Sequence, residues 1–414
     1  MQNFEPKIAT PSTNRGLVNV ACCVLGLASS YIVVAVFAFS TFLLPIASET
    51  GWSRAAVSGS LAVVSAVVIL ASPVVGWLTD RFGARAVIVP STALLGICVA
   101  SLWLVGHSLM QFYAIFFLIG LSGAGTSPVP FARLVIDWFE HRQGLALGIA
   151  LSGIGIGAAA IPALSGALIA HIGWRSAFLV IGLSITFLVT PILAMFIVER
   201  SHASHGQKVA LAGYTLRQAS YQGSFRLMAA GFLLIGLGVS AGLTHYVPIL
   251  IENGVAPGRA SELVGLTGLS IIAGRIAAGY LMDRIFAPFV TAAFLAAPVV
   301  GYLLIASVGG PSIAIFGAIC VGIALGAEFD VIAFFTIRYF GNVEYGQIYA
   351  AMFALFNIGA GLGPALMGAM HDRVGSYNLG LYVAGGVILT AIVFILRLGR
   401  YPALPAISRQ AAAP

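Results

Sequence analysis

Charge is what this sequence has least of: Asp, Glu, Lys and Arg make up 8% of its 414 residues, too few to coat a soluble globule of that length. Lipid must therefore be the solvent for most side chains. Cysteine is also sparse, and Cys22, Cys23, Cys98 and Cys320 all fall within apolar stretches with no CxxC pair, which excludes a disulfide framework or a thiolate metal site. The seven histidines form no HExxH pattern and no GxxxxGK[ST] loop occurs, so nothing points to zinc hydrolysis or ATP use. No metal or other cofactor is expected. A formal charge of +7 could suggest nucleic acid, but the basic residues are scattered over short loops instead of lining one face, so no nucleic-acid partner is expected.

What the chain has in abundance is apolar sequence, 60% of its residues, arranged in runs long enough to cross a hydrocarbon core of about 30 Å. Twelve such spans are legible: 17–45, 54–79, 86–106, 109–137, 143–170, 175–198, 225–251, 260–282, 288–308, 311–338, 346–370 and 377–397. With both termini placed on one side, fourteen Lys and Arg, among them Arg81, Arg85, Arg142, Arg284 and Arg338, fall on that side. Only Arg54, Arg175, Arg259 and Arg373 fall opposite, and the positive-inside rule then puts both termini in the cytoplasm. All five tryptophans (Trp52, Trp77, Trp103, Trp138 and Trp174) sit near span ends, as an interfacial belt requires. The expected protein is integral to a bacterial inner membrane, surrounded by lipid and monomeric.

The chain also repeats itself. Pro162-Ala163-Leu164-Ser165-Gly166-Ala167 returns 202 residues later as Pro364-Ala365-Leu366-Met367-Gly368-Ala369, and Gly76-x-Leu78-x-Asp80-Arg81 returns as Gly279-x-Leu281-x-Asp283-Arg284. The fold predicted is an all-α membrane protein of twelve transmembrane helices in two six-helix pseudo-repeats. Its parts are an N-terminal tail (1–16), a first bundle (17–198), a linker (199–224), a second bundle (225–400) and a C-terminal tail (401–414). Glycines 153, 155 and 157, and 359, 361 and 363, make helices 5 and 11 candidates for close contact across the seam between bundles. Pro162 and Pro364 are candidate bends.

Gly76-Trp77-Leu78-Thr79-Asp80-Arg81-Phe82-Gly83-Ala84-Arg85 fits the G-x-L-x-D-R-x-G-x-R signature of the major facilitator superfamily, which the chain resembles in layout throughout. The resemblance implies a cytoplasmic gate latched by Asp80, Arg81, Arg85, Asp283 and Arg284; Asp137, Glu140, Arg142, Arg338 and Glu344 are further charges at that end. Gly51-Trp52-Ser53-Arg54 and Arg275-x-x-x-Gly279 look like the monocarboxylate porter and oxalate:formate antiporter branch, where the corresponding arginine contacts the substrate carboxylate. Two positions depart from the branch. Ile271 stands where many monocarboxylate porters have an acid, and Met352 where the oxalate exchanger has a lysine. One buried cation fewer favours a monoanion. Phe116-Phe117-Leu118-Ile119-Gly120 lacks the arginine of the drug:proton antiporters.

An ionisable residue inside a membrane helix is a functional candidate by default. Glu328 and Asp330 are the only acids well within a span, joined by Arg275 and, nearer an edge, Arg133. Arg275 and Asp330 share a layer roughly 12 Å above the helix ends, within reach of pairing, whereas Glu328 is rotated about 200° from Asp330. The resemblance implies Arg275 as a substrate-binding residue and makes His245, with Tyr246 beside it, a candidate on a cavity-lining helix. Charge or polarity within apolar spans adds Glu328, Asp330, Arg133, Tyr31 and Asn357, with Glu328 or Asp330 as proton carrier. The Thr126-Ser127 pair adds hydrogen-bonding groups. The function expected is secondary transport of a small organic monoanion by alternating access, coupled to proton uptake. Efflux or exchange of a larger aromatic metabolite, or a transporter-like sensor, are the alternatives; an intramembrane enzyme is disfavoured.

Overall fold

The computed structural model describes residues 13–139, 142–199 and 211–407; Glu140, Lys7, Arg200, Lys208 and Arg409 lie outside them. Among the described residues, twelve helices of the kind that spans a membrane follow one another. α1 is composite (Thr13–Ala28, a π-helical turn Ile32–Phe37, then Phe39–Thr50). α2 is Arg54–Phe82, α3 is Ala84–Ser101, and α4 runs as Leu109–Gly125 and Pro128–Trp138. A nearly continuous apolar stretch from Gln143 to Phe196 breaks at Gly173, whose φ of 76° suits only glycine; it forms α5 (143–172) and α6 (174–196). In the second half α7 is Gly223–Thr244 and Tyr246–Glu252, α8 Pro257–Met282, α9 Ala287–Ser307, α10 Pro311–Phe340, α11 Tyr345–Val374 and α12 Asn378–Leu396.

Four helices are interrupted where polar residues can take over the backbone groups freed. In α5 the break falls at Ser152, between Leu151 and Gly153, where the Ser152 hydroxyl donates to the Ile149 carbonyl at 2.6 Å. The α1 break spans residues 29–31, and the Ser29 hydroxyl turns back to the Leu25 carbonyl at 2.7 Å. In α4 the break falls at Thr126 and Ser127, where Pro128 cannot donate and the Ser127 hydroxyl accepts from Val129 N. In α7 it falls at His245. The breaks of α1 and α4 meet, because Tyr31 N donates to Thr126 Oγ1 at 3.4 Å.

Backbone proximity, made available by glycine, joins the two halves. Gly76 on α2 lies against the Gly346 carbonyl on α11, and Gly144 on α5 lies against Gly279 on α8, so that a Cβ at any of these would strike backbone. Gly148 faces the Arg275 carbonyl, and Gly155 faces Ile272 higher up α8. Helices 5 and 11 do cross the seam, but against 8 and 2. The glycine triplets expected there mostly serve their own halves: Gly153 and Gly157 pack on Val24 and Ala28 of α1, and Gly359 and Gly363 on Leu233 and Leu237 of α7. The breaks likewise fall at residues 29–31, 126–127, 152, 173 and 245, whereas Pro162 and Pro364 sit inside continuous helix.

The seam is closed at the end where α1 begins and α12 finishes, and the opposite ends of α1 and α7 pack within their own halves. The linker and C-terminal tail are partly docked there. Leu211–Ala212 (β1) pairs antiparallel with Ala406–Ile407 (β2), Tyr214 N donates to the Phe340 carbonyl at 2.8 Å and Asn342 N to the Ala212 carbonyl at 3.0 Å. Tyr401 packs on Tyr339 and Phe286 while its hydroxyl accepts from Ala287 N. Linker and tail thus form a clasp on the α10–α11 turn.

A side chain at Gly279 has no room without parting α5 from α8. Gly279→Leu is expected to open this end, so that a cysteine placed at Ile272 reacts with a membrane-impermeant maleimide several-fold faster; an unchanged rate would show that the glycine contact does not set the seam.

Candidate functional site

Polarity in this molecule is gathered in two layers at the seam. The lower layer is a pair of carboxylates, each closing the start of a helix in the other half. Asp80, at the end of α2, accepts from Gly346 N at 2.7 Å and Gln347 N at 2.9 Å. Asp283, just after α8, accepts from Gly144 N at 2.8 Å and Leu145 N at 2.9 Å. The first amides of a helix have no intrahelical partner and carry the positive end of its dipole, so a carboxylate there is bound by hydrogen bond and field together. Arg142, the one described non-glycine residue with positive φ, at 59°, turns the chain so that the α5 amides face Asp283.

The cation of this layer is Arg133 of α4. Its guanidinium lies 3.6 Å from Asp80, 3.2 Å from Asp137, and donates to the Asn342 carbonyl of the second half at 3.1 Å. Arg81, Arg85 and Arg284, assigned to the same gate, lie elsewhere in this state. Arg81 covers the rings of Trp77 and Phe82, Arg284 covers Tyr280, and Arg85 donates to the Ala194 carbonyl while its amide is held by Glu199. Glu344 accepts from Leu216 N in the clasp, and Arg338 covers Phe334 and Tyr401.

The upper layer is centred on Arg275, 2% exposed. It lies one turn from Gly279, on the same face of α8, so the close approach of α5 brings a backbone carbonyl of the opposite half to its guanidinium. Nη1 donates to the Leu151 carbonyl at 2.6 Å, at the point where α5 bends, and Nε donates to the Gly326 carbonyl at 2.9 Å. Asp330 Oδ2 is 3.7 Å from Nε, an ion pair by distance. Among the described residues neither Asp330 oxygen accepts a hydrogen bond. Phe329 covers the guanidinium at 5.8 Å and belongs to an aromatic group with Phe353 and Phe356 of α11. The Tyr349 hydroxyl donates to the Phe329 carbonyl.

Glu328 points the other way. It is buried between α7, α9 and α10 against Phe232, Thr291 and Leu295, beside a cavity of about 10 Å³, which is room for about one water. The 200° separation expected from helix geometry is what divides the two acids. His245 spans α7 and α11: Nε2 lies 3.0 Å from the Pro364 carbonyl and Nδ1 3.3 Å from the Tyr377 hydroxyl. A proton on Nε2 lets the ring donate to the Pro364 carbonyl. Tyr246 is buried with Leu250 and Val255, Tyr31 packs on Gly123 of α4, and the half-buried Asn357 donates to the Phe353 carbonyl of its own helix.

The structure thus brings together Arg275, Asp330 and, on the next layer, Arg133; it does not bring Glu328, Tyr246 or His245 to them. The Leu151 carbonyl and Phe329 were invisible to a search for polar side chains. Gly238-Val239-Ser240-Ala241-Gly242 has the spacing of a nucleophile elbow but lies within α7, its glycines taken up by Ile388 and Tyr302.

Comparison with known proteins agrees with this architecture. The family description "Major Facilitator Superfamily" matches residues 23–364. Human Monocarboxylate transporter 11 is 27% identical over 380 residues, covering 87% of this chain and 76% of its own. Bovine Monocarboxylate transporter 13 is 25% identical over 371 residues, covering 88% and 85%. Among solved structures, the E. coli fucose:proton symporter FucP in the outward conformation superposes with a TM-score of 0.70 at 14% identity, covering 93% of this chain and 99% of that one. The human organic anion transporter MFSD10 superposes with 0.65 at 16%, covering 93% and 100%. With its duplicated helices, glycine seam and paired carboxylate caps, the chain belongs to the Major Facilitator Superfamily and is an integral membrane transporter, not an enzyme.

Proposed function

We propose that this transporter takes up a small organic monoanion together with a proton, by alternating access between a bundle of residues 17–198 and one of residues 225–400. The observation that carries the reading is Arg275: a cation buried at the seam, held to one half by Gly326 and to the other by Leu151, with a single carboxylate beside it. An incoming carboxylate is a stronger acceptor for a guanidinium than the neutral Leu151 carbonyl. It would draw Arg275 from that carbonyl and leave Asp330 to take a proton, so that the site carries both in one neutral step. Asp330, and not Glu328, is the proton carrier in this reading, since only Asp330 shares Arg275. The relatives named as monocarboxylate transporters support the substrate class.

The charge distribution supports a placement of both termini in the cytoplasm; with that placement the state described is outward-facing, with the cytoplasmic gate closed by Asp80, Asp283 and Arg133. His245, Tyr246 and Tyr31 sit at helix breaks and Asn357 lies within the continuous α11; all four would shape the path above Arg275. The cluster of Phe329, Phe353 and Phe356 beside the cation favours, as a second reading, a larger aromatic acid moved by exchange.

Proteoliposome counterflow with labelled monocarboxylates tests the reading. Arg275→Lys and Arg275→Ala are expected to lower exchange by about two orders of magnitude, in line with the ~3 kcal/mol or more lost when one partner of a buried charge pair is removed, while the protein still reaches the membrane. Wild-type exchange in either variant, or exchange only of cations or neutral compounds, would overturn it. Absence of any exchange by the unaltered protein would favour a sensor.

The gate is tested by hydrogen exchange. Asp283→Asn is expected to speed exchange at Gly144 and Leu145, and Asp80→Asn at Gly346 and Gln347, each by roughly tenfold, as loss of ~1–2 kcal/mol at a partly buried helix N-terminus implies. Equal protection in both variants would show that the carboxylates do not hold the closed state.

A further inference from the structure

The gate motif supplies one cation that the gate does not use. Asp80 and Arg81 are neighbours in sequence, so their side chains leave α2 about 100° apart: Asp80 turns to α11, and Arg81 turns to the membrane face. There its guanidinium lies 5.2 Å from the Trp77 ring and 5.5 Å from the Phe82 ring, two rings set edge to face. Among the described residues no carboxylate pairs with Arg81; Asp80 is taken up by α11 amides and Glu199 by the Arg85 amide.

Directly above this platform runs an apolar groove of about 630 Å³ between α2, α3 and α4, within the ~300–1,000 Å³ typical of built sites. Its floor is the buried cluster of Val75, Val87 and Ala124, and its walls include Leu70, 77% exposed, and Phe117, 49% exposed. Along α2 the lining extends from Val67 to Phe82, about 22 Å at 1.5 Å per residue. That exceeds the roughly 15 Å of hydrocarbon in one leaflet of a ~30 Å core. A slot as long as an acyl chain ends at a cation seated on two aromatic rings at the depth where headgroups lie.

We propose that this groove binds one anionic phospholipid, its acyl chain lying between α2, α3 and α4 and its phosphate paired with Arg81. The occupant is argued from charge and shape together: among the described residues the groove is lined almost wholly by hydrocarbon, and Arg81, seated on the Phe82 ring at its end, is a cation with no carboxylate paired to it. A basic residue at a groove between membrane helices selects anionic over zwitterionic headgroups. Occupancy would hold the end of α2 in the position from which Asp80 reaches α11.

Quenching of Trp77 by lipids brominated on their acyl chains tests this in the full-length protein, with Trp77→Phe subtracted to isolate that residue. At a fixed low mole fraction in phosphatidylcholine bilayers, brominated phosphatidylglycerol is expected to occupy the site about fivefold more than brominated phosphatidylcholine, the factor corresponding to ~1 kcal/mol per interfacial basic residue. Arg81→Gln should bring the two lipids level. Ala86→Phe, an exposed groove position next to Phe82, should lower quenching by both. Equal quenching by the two lipids in the unaltered protein, a preference that survives Arg81→Gln, or protection of Trp77 by self-association at higher protein density would each overturn the proposal.

Discussion

The approach of two pairs of glycines across the seam is the contact on which the rest of this structure depends. Between membrane helices no hydrophobic force drives association, so halves that must come together and part again rely on backbone proximity and on polar groups placed at the contact. Gly76 with Gly346 and Gly144 with Gly279 supply the first. Asp80 and Asp283 supply the second, each satisfying amides that the start of a helix leaves open. Because the chain is duplicated, one device appears twice about the pseudo-twofold, and the closed end is held at two points.

Chemistry enters by breaking that symmetry. Arg275 stands on the same face of α8 as Gly279, so the glycine contact determines what the arginine can reach. Leu151 lies near the bend of α5, and its carbonyl therefore meets a buried cation. The ion pair with Asp330 keeps that cation from standing alone in low dielectric, while the absence of a hydrogen bond to Asp330 leaves the pair able to exchange partners. The proposed gate and the proposed substrate site are then successive turns of one helix.

Neighbouring motif residues can serve different surroundings for the same geometric reason. On α2, Asp80 faces the other half and Arg81 lies over the rings of Trp77 and Phe82. On α10, Asp330 faces Arg275 and Glu328 faces α7 and α9. A helix separates consecutive side chains by about 100°, so a charged motif read as one unit in sequence is divided among several environments in space.

The sequence by itself determined the fold class, the twelve spans, the duplication, the family and the identity of the few buried charges, because hydrocarbon thickness and the cost of charge in lipid act on any segment regardless of its neighbours. It also determined that Glu328 and Asp330 face apart, a property of one helix alone. Tertiary structure decided everything that needed two helices. It gave the seam to Gly76, Gly144, Gly279 and Gly346 in place of the glycine triplets, and gave Asp80 the cation of Arg133 instead of its sequence neighbour. It also paired Arg275 with a backbone carbonyl, a group every residue possesses and no motif can mark. Packing chooses partners by distance across the bundle, and in a chain this poor in polar side chains much of what is within reach is backbone.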